Sequence, residues 1–228
     1  MKIVVDAGHG FETPGKRSVD GMGEYEFNRI VAKYAKEMLE QYENVEVFFT
    51  HSDGRDVPLI ERTDIANELN VDAFISIHAN AYGTGGWNSA DGIETYVYTS
   101  KPKEAYELAK IVQDYLVKKT GRDDRGVKTA NFHVLRETRM TAILCECGFM
   151  TNKEEAELLK QDQYRQTCAK AIVKGLVKFY NLKEQPKPKG LYKVQVGAFS
   201  KKKNAEKLAE ELKNKGYDTY ITFEEHRE

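Results

Sequence analysis

Short apolar runs rich in β-branched residues alternate along this chain with longer segments of helical periodicity. Clear apolar runs lie at 2–6, 45–50 and 73–78, and the first helical stripe extends from Glu24 to about Tyr42. Strands that are joined through helices normally pair in parallel, because the crossover returns the chain to the same end of the sheet. The alternation therefore predicts an α/β fold with a mostly parallel, twisted sheet that is flanked by helices on both faces.

The remaining elements follow from the same two periods. We predict further strands at 92–98, 132–135 and 141–147, and further helices at 59–69, 103–119, 153–161 and 163–180. Segments that are rich in glycine or charge are predicted to be loops around a site, since loops on a rigid sheet commonly carry function. These loops are 51–57, 80–91 and 120–131.

The composition changes at 182–190, where the sequence reads LKEQPKPKG. Two prolines and several charged residues in so short a stretch predict a semi-extended linker. Beyond it, the pattern predicts a strand at 191–196, a helix at 201–215 and a strand at 217–222. A strand–helix–strand unit of this size buries too little apolar surface to be stable alone. We therefore expect a main domain at 1–181 and a small C-terminal module at 191–228.

Composition excludes several classes of protein. The 228 residues carry a formal net charge of −1, which gives no reason to expect a nucleic acid as partner. No apolar run approaches the roughly 20 residues that a membrane span requires. The cysteines number 3, an odd and sparse count that argues against a disulfide framework. The chain is expected to be an ordinary globular protein without a membrane span.

Four acidic or imidazole side chains stand where a predicted strand ends or a predicted helix begins. His9 follows the first strand, and His78 ends the strand in DAFISIHAN. Glu24 opens the first helix, and Glu146 lies inside TAILCECGF. In a parallel sheet, ligands gather outside the carboxyl ends of the strands, which would bring these residues together. Two imidazoles and a carboxylate are a common ligand set for a catalytic zinc, and a further carboxylate can serve as its base.

Each of these residues also has an ordinary structural interpretation. His9 lies between two glycines and could be a turn residue. Glu24 could simply be a negative charge that the helix dipole favours at an N-terminus. Glu146 is the sharpest candidate, because a carboxylate within an apolar strand is costly to bury unless it is paired.

Other chemically active side chains are weaker candidates. Cys145 and Cys147 share one face of their strand, where a thiolate metal site and two small apolar core residues are both open interpretations. His133 is a candidate substrate contact or supporting residue. His51 is expected in a loop, and His226 is expected to be exposed in the tail.

Several longer motifs occur in a fixed order over about residues 1–181. They are GHG, GEYEFN, THSDGRDVPLIERTDIANELNVDAFISIHANA, GIETYVY, and NFHVLRETRMTAILCECGFMTN followed by EEAELL. Together they resemble the zinc-dependent N-acetylmuramoyl-L-alanine amidases of the Amidase_3 type. The resemblance implies an α/β domain with a twisted sheet flanked by helices, one Zn²⁺ per chain, and peptidoglycan as the substrate.

The resemblance also implies roles for the four candidates. The zinc ligands of the family fall on His9, Glu24 and His78, and its catalytic glutamate falls on Glu146. The implied reaction is hydrolysis of the amide bond between N-acetylmuramic acid and the L-alanine of the stem peptide.

Two details of the resemblance concern neighbouring residues. Glu26 is close enough to compete with Glu24 as a ligand, but the family has its ligand glutamate four residues before an asparagine, and Asn28 selects Glu24. Cys145 and Cys147 depart mildly from the family, which more often has aliphatic residues at these positions.

The C-terminal segment LYKVQVGAFSKKKNAEKLAEELKNKGYDTYI resembles the first half of a SPOR domain, a module that binds the glycan strands of peptidoglycan. The prediction for 191–228 is thus a partial SPOR-like repeat that follows the amidase domain and the linker. It supports peptidoglycan, both its glycan and its stem peptide, as the partner.

The expected function is therefore cell-wall lysis, by a phage endolysin or by a sporulation autolysin. Two alternatives remain open: a zinc peptidase that cuts within the stem peptide, and a wall-binding protein without catalysis. The first strand begins at Lys2, so we expect no signal peptide, synthesis in the cytoplasm, and action on the wall after release. The oligomeric state is not indicated.

Overall fold

A computed structural model describes residues 1–14, 16–186 and 194–223 of the chain. The chain divides into two compact units, Met1–Gln185 and Pro186–Glu228, which are described separately below. Among the described residues, no helix is both long and apolar enough to cross a membrane.

The described part of the first unit contains strands and helices in alternation. The strands are β1 (Lys2–Ala7), β2 (Glu46–Phe49), β3 (Ala73–Asn80), β4 (Ile93–Tyr98), β5 (Asp124–Ala130) and β6 (Thr141–Phe149). The helices are α1 (Glu24–Leu39), α2 (Leu59–Glu68), α3 (Lys103–Thr120), α4 (His133–Arg136), α5 (Lys153–Lys160) and α6 (Asp162–Tyr180).

The strands of the first unit form one sheet in the order β2-β1-β3-β6-β4-β5. The pairs β1–β2, β1–β3, β3–β6 and β4–β5 are parallel, while β4 runs antiparallel to β6. The predicted α/β class with a mostly parallel sheet is confirmed. Because β1, β3 and β6 are parallel neighbours, their carboxyl ends lie side by side at one edge of the sheet.

Alternation along the strands sends side chains to two separate cores. Ile3 and Val5 of β1 face a large core that also contains buried residues of α1, α3 and α6. Val4 and Phe74 face the opposite side of the sheet, where a smaller core includes residues of α2 and α4. Both faces of the sheet are therefore covered, which explains why β1 and β3 read as nearly continuous apolar runs.

Two predictions in this unit are wrong. The segment 120–131, predicted as a loop, contains β5, a polar edge strand that is held by its pairing with β4. Residues 132–135, predicted as a strand, contribute most of the single turn α4. The neighbours Val134 and Leu135 both pack in the smaller core, which a helical turn permits and a strand does not.

The start of the predicted linker packs against the first unit. The backbone N–H of Glu43 donates to the carbonyl oxygen of Lys183, and the N–H of Gln185 donates to that of Gln41. The chain therefore follows the first unit as far as Gln185. The rest of the predicted linker, at 187–190, lies outside the described residues.

The described part of the second unit contains one helix, α7 (Lys202–Asn214), which confirms the predicted helix there. The residues of the predicted strand at 217–222 form no ladder with any other described residue, and half of their predicted partner strand lies outside the described residues. The first part of the predicted strand at 191–196 lies outside the described residues, and 194–196 also form no ladder. Extended apolar residues need a neighbouring strand to satisfy their backbone, and residues 194–223 supply none to each other.

Candidate active site

The predicted site residues converge at the edge where β1, β3 and β6 end. His78 is one of the last three residues of β3, and Glu146 is its direct partner on β6 in the parallel ladder. His9 follows β1 by two residues, and Glu24 is the first residue of α1. The structure thus brings together His9, Glu24 and His78, with Glu146 beside them on the same face of the sheet as His78.

His9 is presented by a tight turn. Its φ of 65° is a left-handed backbone conformation that non-glycine residues rarely adopt. Gly8 precedes it, and a Cβ added there would lie 2.0 Å from Cε1 of His78. Only glycine therefore lets the backbone pass so close to the second imidazole.

A buried ion pair holds this turn from below. The Arg62 guanidinium, on α2, donates to the carbonyl oxygens of Ala7 and His9 and lies 2.7 Å from Oδ1 of Asp6. Thr50 and Ser76 donate to the same Asp6 carboxylate. Burial alone would raise the pKa of Asp6, but the Arg62 charge and these hydrogen bonds lower it below its usual value.

Glu24 reaches the site because α1 begins at it. The helix has Gly23 at its N-cap, whose N–H donates to Oε1 of Glu26 at 2.8 Å. Glu26 therefore caps the helix and faces away from the cluster, while the buried Glu24 points into it. Glu24, and not Glu26, is therefore the carboxylate that lies in the cluster.

The geometry of the cluster is compact. Nε2 of His9 lies 3.1 Å from Oε2 of Glu24, and Nδ1 of His78 lies 2.8 Å from Oε1 of Glu24. The two imidazole rings meet edge to face, with centroids 5.0 Å apart. One donor atom from each of the three residues lies within 4.8 Å of the others. The carboxylate thus bridges two imidazoles, with the ligand atoms gathered around one point.

These contacts set the protonation of the cluster. Burial alone would raise the pKa of Glu24, but hydrogen bonds to His78 and His9 lower it strongly. Burial alone would lower the pKa of His78, but the bond to Glu24 and its negative charge raise it. The Glu24 carboxylate is therefore already ionised, as a metal ligand must be.

Asn28 supports the cluster from one helical turn further along α1. Its Nδ2 donates to Oε1 of Glu24 at 3.3 Å and to the carbonyl oxygen of Gly8 at 3.0 Å. The side chain is fully buried, so it links the carboxylate to the turn that carries His9. This contact gives a physical meaning to the asparagine that follows Glu24 by four residues.

Glu146 differs from Glu24 in having no counter-ion in hydrogen-bond contact. It is buried on β6, and its Oε2 has no hydrogen-bond partner among the described residues. Burial, with the nearby charges of Glu24 and Glu94, raises the pKa of Glu146 to about 8, although His78 acts in the opposite direction. A buried carboxyl with a free oxygen and a pKa near neutrality is suited to moving protons.

The weaker candidates have other surroundings. Nδ1 of His51 accepts the backbone N–H of Ala7, so this imidazole supports the end of β1. His133 lies 3.5 Å from Oγ1 of Thr63, between α4 and α2. Cys145 and Cys147 are fully buried in the large core, on the opposite face from Glu146, which favours the apolar interpretation. His226 lies outside the described residues.

Sequence reasoning missed two elements of the site. It did not single out Asp6 and Arg62, although an aspartate inside the run KIVVDA is as unusual as Glu146 in its strand and carried the same signal. It also missed Glu94, whose buried carboxylate lies beside Glu146 in the β4–β6 ladder. The residues that pair with these carboxylates come from distant parts of the chain, so no local pattern predicts the pairings.

Comparison with known proteins places this chain among cell-wall enzymes. The profile of the N-acetylmuramoyl-L-alanine amidase family Amidase_3 matches residues 3–178, and that of the SPOR domain matches residues 188–228. The N-acetylmuramoyl-L-alanine amidase CwlM of Bacillus licheniformis is 37% identical over 224 residues, covering 98% of this chain and 85% of the relative. The sporulation-specific N-acetylmuramoyl-L-alanine amidase of Bacillus subtilis (strain 168) is 34% identical over 226 residues, covering 99% and 86%.

A solved structure shows the same fold. The N-acetylmuramoyl-L-alanine amidase from Clostridium difficile 630 superposes with a TM-score of 0.75 at 32% identity, covering 79% of this chain and 96% of that one. Fold, motif order and full-length relatives agree. The chain belongs to the N-acetylmuramoyl-L-alanine amidase family and is a peptidoglycan hydrolase that cleaves the amide bond between N-acetylmuramic acid and L-alanine.

Proposed function

We propose that this amidase uses a single zinc ion held by His9, Glu24 and His78. Support comes from the three ligand atoms within 4.8 Å of one another and from the chemistry of the donors, since two imidazoles and a carboxylate suit Zn²⁺. The same donors can hold other first-row divalent ions. When bound there, the metal supplies Lewis acidity, which polarises a carbonyl oxygen and acidifies water.

Glu146 is the proposed acid and base of the reaction. Its free Oε2 is available to accept a proton from the attacking water and then to deliver it to the nitrogen of the leaving L-alanine. Transfer in both directions needs a carboxyl that holds its proton more readily than an exposed glutamate does, and burial raises the pKa of Glu146 above its usual value. The single observation that carries the proposal is this unpartnered carboxyl beside three converged ligand atoms.

The supporting residues keep the ligands in place. Asn28 ties Glu24 to the carbonyl of Gly8, and Arg62 ties the carbonyl of His9 to α2. Such partners typically change metal affinity or activity by about 10- to 100-fold when they are removed.

Mass spectrometry of muropeptides from digested sacculi tests the proposed metal dependence. We expect intact stem peptides with a new N-terminal alanine, and we expect chelation to abolish their release and added Zn²⁺ to restore it. Undiminished release after removal of all metal would refute the zinc proposal.

We further propose that the C-terminal unit attaches the enzyme to the wall. The match of the SPOR profile to residues 188–228 supports this role, and exposed aromatic side chains at Tyr217 and Tyr220 offer surfaces for sugar rings. Sedimentation with purified sacculi, for the chain as it stands and for a Tyr217→Ala variant, measures it. Equal sedimentation of both would remove Tyr217 from the binding surface.

A further inference from the structure

A second charged cluster lies next to Glu146, and its two cations have no role in the mechanism above. Glu94, on β4, has a side chain only 3% exposed, and its Oε1 accepts from Nε of Arg125 and Nζ of Lys128. Its Oε2 accepts from the hydroxyl of Tyr96 and from Nδ2 of Asn80. Two cations thus share one buried carboxylate, and this Glu94 cluster carries one excess positive charge.

The sheet register aligns this cluster with the catalytic residues. His78 pairs with Glu146, and Glu146 pairs in turn with Glu94 across the antiparallel β4–β6 ladder. The edge strand β5, which carries Arg125 and Lys128, comes next. Neighbouring strands lie about 4.8 Å apart, so β5 is about 10 Å from β6. A row of polar side chains therefore crosses one face of the sheet from the candidate ligands to the edge.

The excess charge of the cluster is accessible. The side chains of Arg125 and Lys128 are 36% and 37% exposed, while the carboxylate they share is shielded. Arg125 also packs over the ring of Phe149, which fixes its direction. On the same face, the exposed ring of Phe132 packs against Tyr96 with centroids 5.3 Å apart. An aromatic wall beside two partly exposed cations is the form of a site for an anion on an organic ligand.

We propose that Arg125 and Lys128 bind a carboxylate of the stem peptide whose amide is cleaved at Glu146. This inference rests on the proposed placement of the reaction at Glu146. An extended peptide advances about 3.3 Å per residue, so the cations meet a carboxylate two to three residues beyond the scissile amide. The N-acetylated sugars of the glycan carry no charge of their own, apart from the lactyl group that is already in the amide. A cationic subsite therefore selects the peptide side of the substrate.

The test compares muramoyl tripeptides that differ in one group. One series carries free carboxylates on the second and third residues. In another series the free carboxylate of the second residue is replaced by a carboxamide, and in the last series that of the third residue is replaced. For the unaltered enzyme, we expect one replacement to lower kcat/KM at least tenfold, mainly through KM. For Lys128→Gln, which leaves Arg125 paired with Glu94, we expect kcat/KM for the free-carboxylate substrate to fall at least fivefold and kcat/KM for the carboxamide substrate to stay unchanged.

A matched control removes a lysine charge elsewhere. Lys33 is 64% exposed on α1, and Lys33→Gln should leave both substrates unaffected. Equal losses on both substrates in Lys128→Gln would show that the Glu94 cluster only stabilises β5, and would overturn the subsite. So would an unaltered enzyme that cleaves all series equally. If the reaction does not take place at Glu146, the result is different, because Glu146→Gln would then retain full activity on every series.

Discussion

The guanidinium of Arg62 donates to the backbone carbonyl oxygen of His9, 53 residues earlier in the chain. The same guanidinium holds the carbonyl of Ala7 and the carboxylate of Asp6. Two carbonyls on either side of Gly8 are thus fixed to one rigid, planar donor, which explains how His9 is kept at a φ of 65°. Helix α2 therefore takes part in the site without contributing a ligand.

Replacing Arg62 by lysine should lower the affinity for zinc while the protein still folds. Lysine keeps the charge near Asp6 but cannot reach both carbonyls with one planar fork. We expect the zinc dissociation constant to rise about 10- to 100-fold, as for other residues that orient a ligand. Chelator competition under conditions where the variant is fully folded measures this change.

A core variant separates orientation from general stability. Leu39→Ala removes a fully buried side chain at the far end of α1, about 22 Å along the helix from Glu24, and should cost about 2–5 kcal/mol of unfolding free energy. Its zinc affinity should be unchanged. If Arg62→Lys and Leu39→Ala lose zinc affinity to the same extent, Arg62 has no specific role in placing His9.

The buried Asp6–Arg62 pair should make stability depend on pH in the acid range. The pKa of Asp6 is lowered in the folded state, so its contribution is fully present above the unfolded value of about 3.9 and is lost as the pH falls through the folded value below it. At pH 7, Asp6→Asn leaves Arg62 without its counter-ion and should cost about 3–5 kcal/mol.

Urea unfolding of Asp6→Asn and of the unaltered protein between pH 3 and 7 tests this dependence. The difference in unfolding free energy should shrink below about pH 4, because the unfolded reference protein then binds a proton at Asp6 that the folded protein does not bind. Asp64→Asn, at an exposed position on the same helix as Arg62, serves as the control and should follow the reference curve. A difference that stays constant down to pH 3 would contradict the lowered pKa.

Removing the Glu146 carboxylate should stop turnover without releasing metal. Glu146→Gln keeps the shape of the side chain but cannot accept a proton, so we expect kcat to fall by roughly 10²–10⁴ with one zinc retained per chain. Elemental analysis and muropeptide release measure the two quantities. Glu157→Gln, on the exposed face of α5, should change neither. An active Glu146→Gln enzyme would remove this residue from the chemistry.

Gly8 should tolerate no side chain. A Cβ there would lie 2.0 Å from the His78 ring, so Gly8→Ala must displace one of the two imidazoles. We expect zinc affinity to fall at least tenfold and stability to fall by about 1–3 kcal/mol, the usual cost of overpacking. Gly86→Ala is the matched control, because nothing lies within 4 Å of its added Cβ. Normal zinc binding by Gly8→Ala would show that the turn can relax.

The sequence predicted those elements whose signal is local. β1 and β3 are apolar on both faces, and their ends carry His9 and His78, so strand position and candidate ligand followed from one pattern. β5 was missed because its alternating side chains are polar, and its stability comes from pairing with β4.

The contacts between Arg62 and His9, and between Glu94 and Lys128, join segments that the sequence does not relate. Pairings of this kind depend on tertiary packing, and only coordinates reveal them. The order of the motifs nevertheless predicted the family correctly, because that order can be read from the sequence alone.

The first unit ends where Gln185 docks on the residues that follow α1, close to the end of the helix opposite Glu24. About 22 Å of helix therefore lies between Glu24 and the end of α1 near which Gln185 docks. A change confined to this junction should therefore leave the geometry around Glu24 unaltered.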